Sequence, residues 1–231
     1  MTTLRPVALV TGGTRGIGAA ICRELGRDHH ILVGGRDRAT AEALAASMPS
    51  AEAWACDLTD ADDVERACAS VDRVDVLVHS AGMLEMGAVA DVSRDAWRAS
   101  FELNVVAVAD LTRMLLPRLR DAHGTVIAIN SGAGVRASAD WGPYAASKFA
   151  LTAFTDVLRQ EEAGAVRVVS IHPGRAATDM QRQVRAHEGG EYLSEDFLRP
   201  EDVAATVGLA ARLPAEVSID SLRIRRDAGR R

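Results

Sequence analysis

The chain has 231 residues, 48% hydrophobic and 4% aromatic, which is enough to bury a sizeable core and suits a single α/β domain. A formal charge of −5 at pH 7 argues against nucleic acid or an anionic membrane surface as a partner, and favours a small-molecule ligand. Cys22, Cys56 and Cys68 are odd in number and lack Cys-x-x-Cys spacing, so we expect neither a disulfide framework nor a metal site.

No charged start with an apolar signal core follows Met1, and no apolar run is long enough to cross a bilayer. The expected location is therefore the cytoplasm.

Short apolar runs that suit strands buried on both faces recur along the chain: VALV, HILVG, AEAWAC, VDVLVHS, TVIAIN, VRVVSIH and VSIDSLRI. Between them lie alanine- and leucine-rich segments long enough for crossover helices, at 16–27, 38–47, 60–70, 94–120 and 141–162. This alternation predicts one α/β domain over residues 1–231, with a doubly wound parallel sheet and helices on both faces. The polar, weakly periodic residues 176–199 are expected to form a substrate lid.

A glycine turn, TGGTRGIG, follows the first predicted strand directly and opens a helix. Gly12, Gly16 and Gly18 would let the backbone approach a pyrophosphate at the helix N-terminus. Glycine turns also serve plain strand-to-helix connections, but the position inside a βαβ unit favours dinucleotide binding.

The end of the second strand indicates which dinucleotide is bound. Gly35 takes the place where an NAD site has a carboxylate, and Arg36 follows it, with Arg15 available from the glycine turn. Guanidinium groups suit a 2′-phosphate, so NADP is favoured over NAD. Asp37 competes, either as the cap of the next helix or as the ribose carboxylate of NAD. Asp57, after the third strand, is a candidate adenine contact or a turn residue.

Tyr144 and Lys148 are four residues apart on a predicted helix that begins near Pro143, so they share one face. An ammonium group and a positive helix end both favour the phenolate, and the pKa of Tyr144 is expected to fall from about 10 towards neutrality. Ser131, at the end of the fifth strand, would hold a carbonyl oxygen near the phenol. Each residue alone also fits a packing or solvated role.

The motifs TGGTRGIG, FELNVV, INSGAG, YAASK and HPG, in this order and at these separations, resemble the short-chain dehydrogenase/reductase family over nearly all of residues 5–225. The resemblance implies a Rossmann fold in which Tyr144 donates the proton and Ser131 orients the carbonyl. It gives Lys148 two tasks, lowering the phenol pKa and binding the nicotinamide ribose, and it places a relay water on Asn104.

The same resemblance implies a larger set of coenzyme contacts, spread over the glycine turn and the ends of the strands. With the residues above, the set is Gly12, Thr14, Arg15, Gly16, Ile17, Gly18, Arg36, Asp57, Leu58, Ser80, Ala81, Gly82, Tyr144, Lys148, Pro173, Gly174, Ala176 and Thr178. His79 and Ser80 stand where the family has two asparagines, so ribose contacts there are expected through the backbone. A hydrogen-bonded strand-end role is favoured for His79 over a catalytic base.

The expected activity is an NADP-dependent carbonyl reductase or alcohol dehydrogenase. A dinucleotide-sensing regulator without turnover is the alternative, and the presence of both Tyr144 and Lys148 favours the enzyme. Leu84, Met86, Val135, Trp141 and the lid are expected to line a pocket for a moderately hydrophobic ketone or alcohol.

Apolar surface on residues 95–119 and on the Tyr144 helix exceeds what one sheet face needs. This excess, together with the resemblance, predicts a homodimer or homotetramer.

Overall fold

The computed structural model describes residues 5–227. The ends of the predicted domain, residues 1–4 and 228–231, lie outside the described residues. Within that range one parallel sheet has the order β3-β2-β1-β4-β5-β6-β7. Its strands are β1 (Val7–Val10), β2 (His30–Gly35), β3 (Ala51–Ala55), β4 (Val76–His79), β5 (Thr125–Ile129), β6 (Arg167–Pro173) and β7 (Ser221–Ile224).

The helices connect these strands as crossovers, and several begin at a side-chain cap. They are α1 (Gly16–Leu25), α2 (Arg38–Ala45), α3 (Ala61–Ala69), α4 (Arg94–Phe101), α5 (Ala107–Asp121), α6 (Gly142–Glu161), α7 (Asp179–His187) and α8 (Pro200–Ala211). Asp37, Asp60 and Ser93 accept hydrogen bonds from the first turns of α2, α3 and α4. A π-helical turn, Glu102–Val106, joins α4 to α5.

Alternate residues of each strand pack against opposite helical layers, as the period of a strand requires. Val10, Ile31 and Ile127 belong to one core cluster, which includes residues of α1, α2 and α8. Leu9, Leu32 and Leu77 belong to the other, which includes residues of α3, α5 and α6. The predicted doubly wound sheet with helices on both faces is confirmed.

The strand order reverses between β1 and β4, which are adjacent and parallel. In an open α/β sheet the crevice at such a reversal, beyond the carboxyl ends of the strands, is where ligands bind. The glycine turn after β1 and residues 80–82 after β4 both lie at this crevice.

The sequence did not predict α7 or α8. α7 lies inside residues 176–199 and is short and polar, with only Gln181 and Val184 buried. Ion pairs stabilise this segment, since Glu188 lies 2.6 Å from Arg175 and 2.8 Å from Arg185. Its role as a lid stays a prediction.

The π-helical turn before α5 and the outer face of α6 carry exposed apolar side chains. Val106, Phe149 and Val157 are 49%, 43% and 52% exposed.

None of the helices in residues 5–227 is long and apolar enough to cross a bilayer.

We expect this apolar surface to pair between two copies of the chain, because a symmetric contact would bury it away from water. Light scattering at micromolar concentration should give at least a dimer, and Phe149→Glu with Val157→Glu should reduce the mass towards that of a monomer. A monomeric mass for the unaltered chain would contradict this expectation.

Candidate active site

The glycine turn brings the backbone of β1 close to that of the neighbouring strand. Gly12 has φ of +61°, and a Cβ there would lie 2.8 Å from the Ala81 Cα. A Cβ on Gly18 would overlap the Gly12 carbonyl oxygen. The turn therefore needs glycine at both positions, and it leaves an open backbone cradle at the N-terminus of α1, where a phosphate fits.

The end of β2 has the register that the sequence predicted. Gly35 is the last residue of β2 and pairs with Ala55, and the exposed Arg36 follows at the cavity wall. Asp37 caps α2, with its Oδ1 accepting from the Thr40 amide at 2.7 Å, and this hydrogen bond lowers the pKa of Asp37. Its carboxylate is thus already engaged as a cap, one of the two roles left open by the sequence.

Asp57 forms the turn after β3. Its Oδ1 accepts from the Thr59 amide at 3.0 Å and from the Thr59 hydroxyl at 2.8 Å. These bonds, with a smaller contribution from Arg36, hold the pKa of Asp57 below its usual value. The turn role is confirmed, and contact with adenine stays a prediction.

Arg15, predicted to bind the 2′-phosphate together with Arg36, pairs with a carboxylate of the protein instead. Its guanidinium lies 3.7 Å from the Asp179 carboxylate at the start of α7, and both side chains are exposed. A Cβ on Gly16 would lie 3.3 Å from the Thr178 Cγ2. The start of α7 therefore packs against the glycine turn, and Arg15 would have to leave Asp179 to reach a 2′-phosphate.

A single open cavity of about 1180 Å³ runs from the end of β2 to the start of α6. Every predicted coenzyme contact lines it, as do Ser131, Tyr144 and Lys148. Of the predicted substrate residues, Leu84 and Trp141 line the cavity, whereas Met86 and Val135 do not. The prediction failed for these two because sequence spacing does not determine where the side chain of a loop residue points.

The structure brings Ser131, Tyr144 and Lys148 together at one end of this cavity. The Ser131 Oγ accepts from the Ala133 amide at 3.1 Å, and the Ser131 hydroxyl is close enough to Tyr144 to influence the pKa of the phenol. Lys148 is buried; its Nζ donates to the Ile129 carbonyl at 3.0 Å and lies 5.8 Å from the centre of the Tyr144 ring.

The expected fall in the pKa of Tyr144 is wrong for this structure. Burial raises the pKa of the phenol, and the hydrogen bond with Ser131 offsets this only in part. Burial also lowers the pKa of Lys148, to about 8. At neutral pH Tyr144 is therefore protonated, which suits a proton donor, and Lys148 is still mostly charged.

Asn104 does not line the cavity but lies behind it, in the π-helical turn. Its Oδ1 accepts from the Met83 amide at 2.9 Å, and its Nδ2 donates to the Met83 carbonyl and to the Ser147 hydroxyl, both at 3.0 Å. Both amide hydrogens are thus used within the protein, and one Oδ1 lone pair remains for a water.

His79 is a buried structural residue. Its Nε2 lies 2.8 Å from the Thr112 Oγ1, and that hydroxyl donates to the Val108 carbonyl at 2.7 Å. His79 must therefore carry its proton on Nε2. Burial, with Lys148 nearby, lowers the pKa of His79 to about 3, so the ring is neutral. The strand-end role favoured by the sequence is confirmed.

The sequence did not single out Asn130, Ser170 or His172, yet these buried residues hold both peptide groups of Ser131. The Ser131 amide donates to the Asn130 Oδ1 at 2.9 Å, and the Ser131 carbonyl accepts from the His172 Nδ1 at 3.0 Å. The His172 Nε2 lies 3.0 Å from the Ser170 Oγ, which accepts from the Asn130 Nδ2 at 3.4 Å.

These bonds form a closed ring around the Ser131 backbone, and they fix its position at the cavity wall. Polar residues inside the otherwise apolar ends of β5 and β6 were the signal that sequence reasoning passed over.

The lowered pKa of the buried Lys148 predicts that any turnover is sensitive to alkaline pH. Its ammonium would stabilise a phenolate forming on Tyr144, so loss of its proton removes that stabilisation. We expect kcat for carbonyl reduction to be level near neutral pH and to fall above about pH 8. A pH profile of kcat measures this, and Lys148→Arg should move the fall to higher pH. A level profile through pH 9.5 would contradict it.

The comparisons with known proteins agree on one family. Residues 6–189 match the sequence pattern of the short chain dehydrogenase family. Dehydrogenase/reductase SDR family member 11 of Mus musculus is 32% identical over 95% of this chain and 93% of its own. A glycine betaine reductase of Emericella nidulans is 33% identical over 94% of this chain, which spans only 18% of that protein.

Among solved structures, actinorhodin polyketide ketoreductase with NADPH superposes with a TM-score of 0.88 and 28% identity, over 95% of each chain. These comparisons and the sheet order define an oxidoreductase class with a Rossmann nucleotide-binding fold. The chain belongs to the short-chain dehydrogenase/reductase family, whose general activity is NAD(P)-dependent oxidoreduction.

Proposed function

We propose that the protein is an NADP-dependent oxidoreductase that transfers a hydride between nicotinamide and a carbonyl or alcohol substrate. The observation that carries the proposal is the placement of Ser131, Tyr144 and Lys148 on the same cavity as the glycine turn. A protein that only senses the dinucleotide has no need of a protonated phenol beside a buried ammonium at that place.

The coenzyme, when bound, supplies or accepts the hydride at C4 of its nicotinamide. The glycine turn fits its pyrophosphate, since the positions that a Cβ would block are glycines. At the other end of the cavity Lys148 would bind the nicotinamide ribose. Ala176 and Thr178 would lie near the carboxamide, with Thr178 also serving as the cap of α7.

Three side chains of the protein would carry the proton chemistry. In the reductive direction the Ser131 hydroxyl holds the carbonyl oxygen, and Tyr144 donates its proton to that oxygen as negative charge develops there. Lys148 stabilises the resulting phenolate by its charge. Asn104 would hold, through its remaining lone pair, a water that returns the proton. In the oxidative direction the same steps run backwards.

NADP is the proposed coenzyme because Arg36 follows the end of β2 without a carboxylate there, and because Asp37 is engaged as a cap. The ketoreductase with NADPH, similar over nearly the whole chain, supports the same choice. Residues 176–199 would act as the lid over the reacting groups.

The experiment that tests the proposal pairs binding with turnover. NADPH should bind, as measured by its fluorescence, and its absorbance should fall when a panel of ketones, aldehydes and keto acids is supplied. Binding without absorbance change for any compound would favour the sensing alternative. The absence of any binding would contradict both functions.

A further inference from the structure

The substrate end of the cavity carries a guanidinium group without a carboxylate partner. Arg136 lies in the segment that connects Ser131 to the start of α6, and it lines the cavity together with Tyr144. Its side chain is exposed, and it forms no ion pair with any carboxylate of residues 5–227. A charged group on the same cavity wall as Ser131 and Tyr144, between them along the chain, is available to a ligand.

The other arginines of the cavity are accounted for. Four arginines line the cavity. Arg15 lies 3.7 Å from the Asp179 carboxylate, and Arg175 lies 2.6 Å from the Glu188 carboxylate. Arg36 is the proposed partner of the 2′-phosphate. Arg136 is therefore the one guanidinium of the described cavity wall with neither an ion pair nor a proposed role.

Arg36 and Arg136 follow strands at different positions in the sheet. Arg36 follows β2 and Arg136 follows β5, and β1 and β4 lie between these strands in the sheet. At about 4.8 Å per strand, the ends of β2 and β5 are roughly 14 Å apart. The two arginines thus serve opposite ends of the cavity, and an anion bound by Arg136 belongs to the substrate.

The surroundings of Arg136 suit a molecule that is charged at one end and apolar elsewhere. Met83, Leu84, Trp141 and Met180 line the same cavity and offer apolar contact. Gln181, also in the lining, has a buried Nε2 without an acceptor among residues 5–227, while its Oε1 accepts from Arg175. Glu102 also lines the cavity and has no ion pair within residues 5–227, and it lies beyond ion-pair distance of Arg136.

We propose that the substrate carries a carboxylate, which Arg136 binds while Tyr144 and Ser131 hold the carbonyl oxygen. This inference rests on the proposed function. The substrate class is then an oxo acid with an apolar body, or the hydroxy acid formed from it. Reduction takes one hydride from NADPH to the carbonyl carbon and one proton from Tyr144 to its oxygen, and it leaves the carboxylate unchanged.

Matched pairs of oxo acids and their methyl esters test this directly, with two to five carbons separating the carbonyl and carboxyl groups. For the best chain length we expect the unaltered protein to prefer the acid over the ester by about 10- to 100-fold in kcat/KM, the range of one charge-assisted contact. Arg136→Ala should remove most of this preference, chiefly through KM, and Arg136→Lys should keep part of it. Arg27→Ala, which changes an exposed arginine two residues after α1 that does not line the cavity, should keep the full preference.

A binding measurement adds a readout that does not depend on turnover. The ligand is the carboxylic acid with the same carbon chain as the best oxo acid but without its carbonyl group. Calorimetric titration with NADPH bound should show that Arg136→Ala binds this acid at least about 10-fold more weakly than the unaltered protein does. Equal turnover of acids and esters by the unaltered protein would overturn the carboxylate proposal and leave the oxidoreductase proposal standing. No oxidation of NADPH with any compound would overturn both.

Discussion

Tyr144→Phe should reduce turnover about 10²- to 10⁴-fold, the usual contribution of general acid catalysis. The change removes one hydroxyl and keeps the aromatic ring, which packs 5.8 Å from the ring of Trp141. The glycine turn that would bind the pyrophosphate follows β1, whereas Tyr144 lies on α6, so the affinity for NADPH should change little. Steady-state kcat with the best carbonyl substrate, beside fluorescence titration of NADPH, measures both quantities.

The chain offers a matched control in its only other tyrosine, Tyr192. Its ring stacks on Phe197 at 5.4 Å, and it does not line the cavity. Tyr192 lies in the proposed lid, but Tyr192→Phe keeps the stacked ring and removes only the hydroxyl, so kcat should stay within a few-fold. Equal kcat for Tyr144→Phe and the unaltered protein would show that the proton comes from another group.

Arg36→Ala should remove most of the preference for NADPH over NADH. The 2′-phosphate is a dianion, and each charge-assisted contact with a guanidinium is worth roughly 1.5 to 3 kcal/mol before desolvation. We therefore expect the unaltered protein to bind NADPH about 10- to 1000-fold more tightly than NADH. The variant should lose affinity for NADPH, mainly as a higher KM, and keep its affinity for NADH.

Arg38→Ala is the control for this change. Arg38 is exposed two residues later, pairs with Glu42 at 3.9 Å and does not line the cavity, so its removal should leave the preference intact. Raised salt should weaken NADPH binding more than NADH binding, since the contact is exposed and screened. Tighter binding of NADH by the unaltered protein would mean that Asp37 leaves its cap and binds the ribose.

The strands and most of the crossover helices were predictable because both faces of the sheet are covered. A run such as VALV has no solvated face, so its composition alone marks it as a buried strand. α7 gave no such signal, since long-range ion pairs such as Arg175 with Glu188 stabilise it instead of an apolar stripe. Contacts of that kind have no period in the sequence.

The predicted site residues came together because the carboxyl ends of parallel strands meet at one edge of the sheet. Their protonation was less predictable. The spacing of Tyr144 and Lys148 gives a shared helix face but not the depth of burial, and burial sets the direction of both pKa shifts. The ring of hydrogen bonds at Ser131 likewise joins β5 to β6, a contact that only the sheet order reveals.

Transfer of deuterium is the most direct measurement of the proposed chemistry. NADPH labelled with deuterium at the transferred position of C4 would be incubated with the protein and the best carbonyl substrate, and the alcohol analysed by mass spectrometry and NMR. We expect one deuterium per molecule of alcohol, on the former carbonyl carbon, and about 10²- to 10⁴-fold slower formation by Tyr144→Phe. Alcohol formed without deuterium from either labelled face of NADPH, or no alcohol while NADPH is bound, would contradict hydride transfer by this protein.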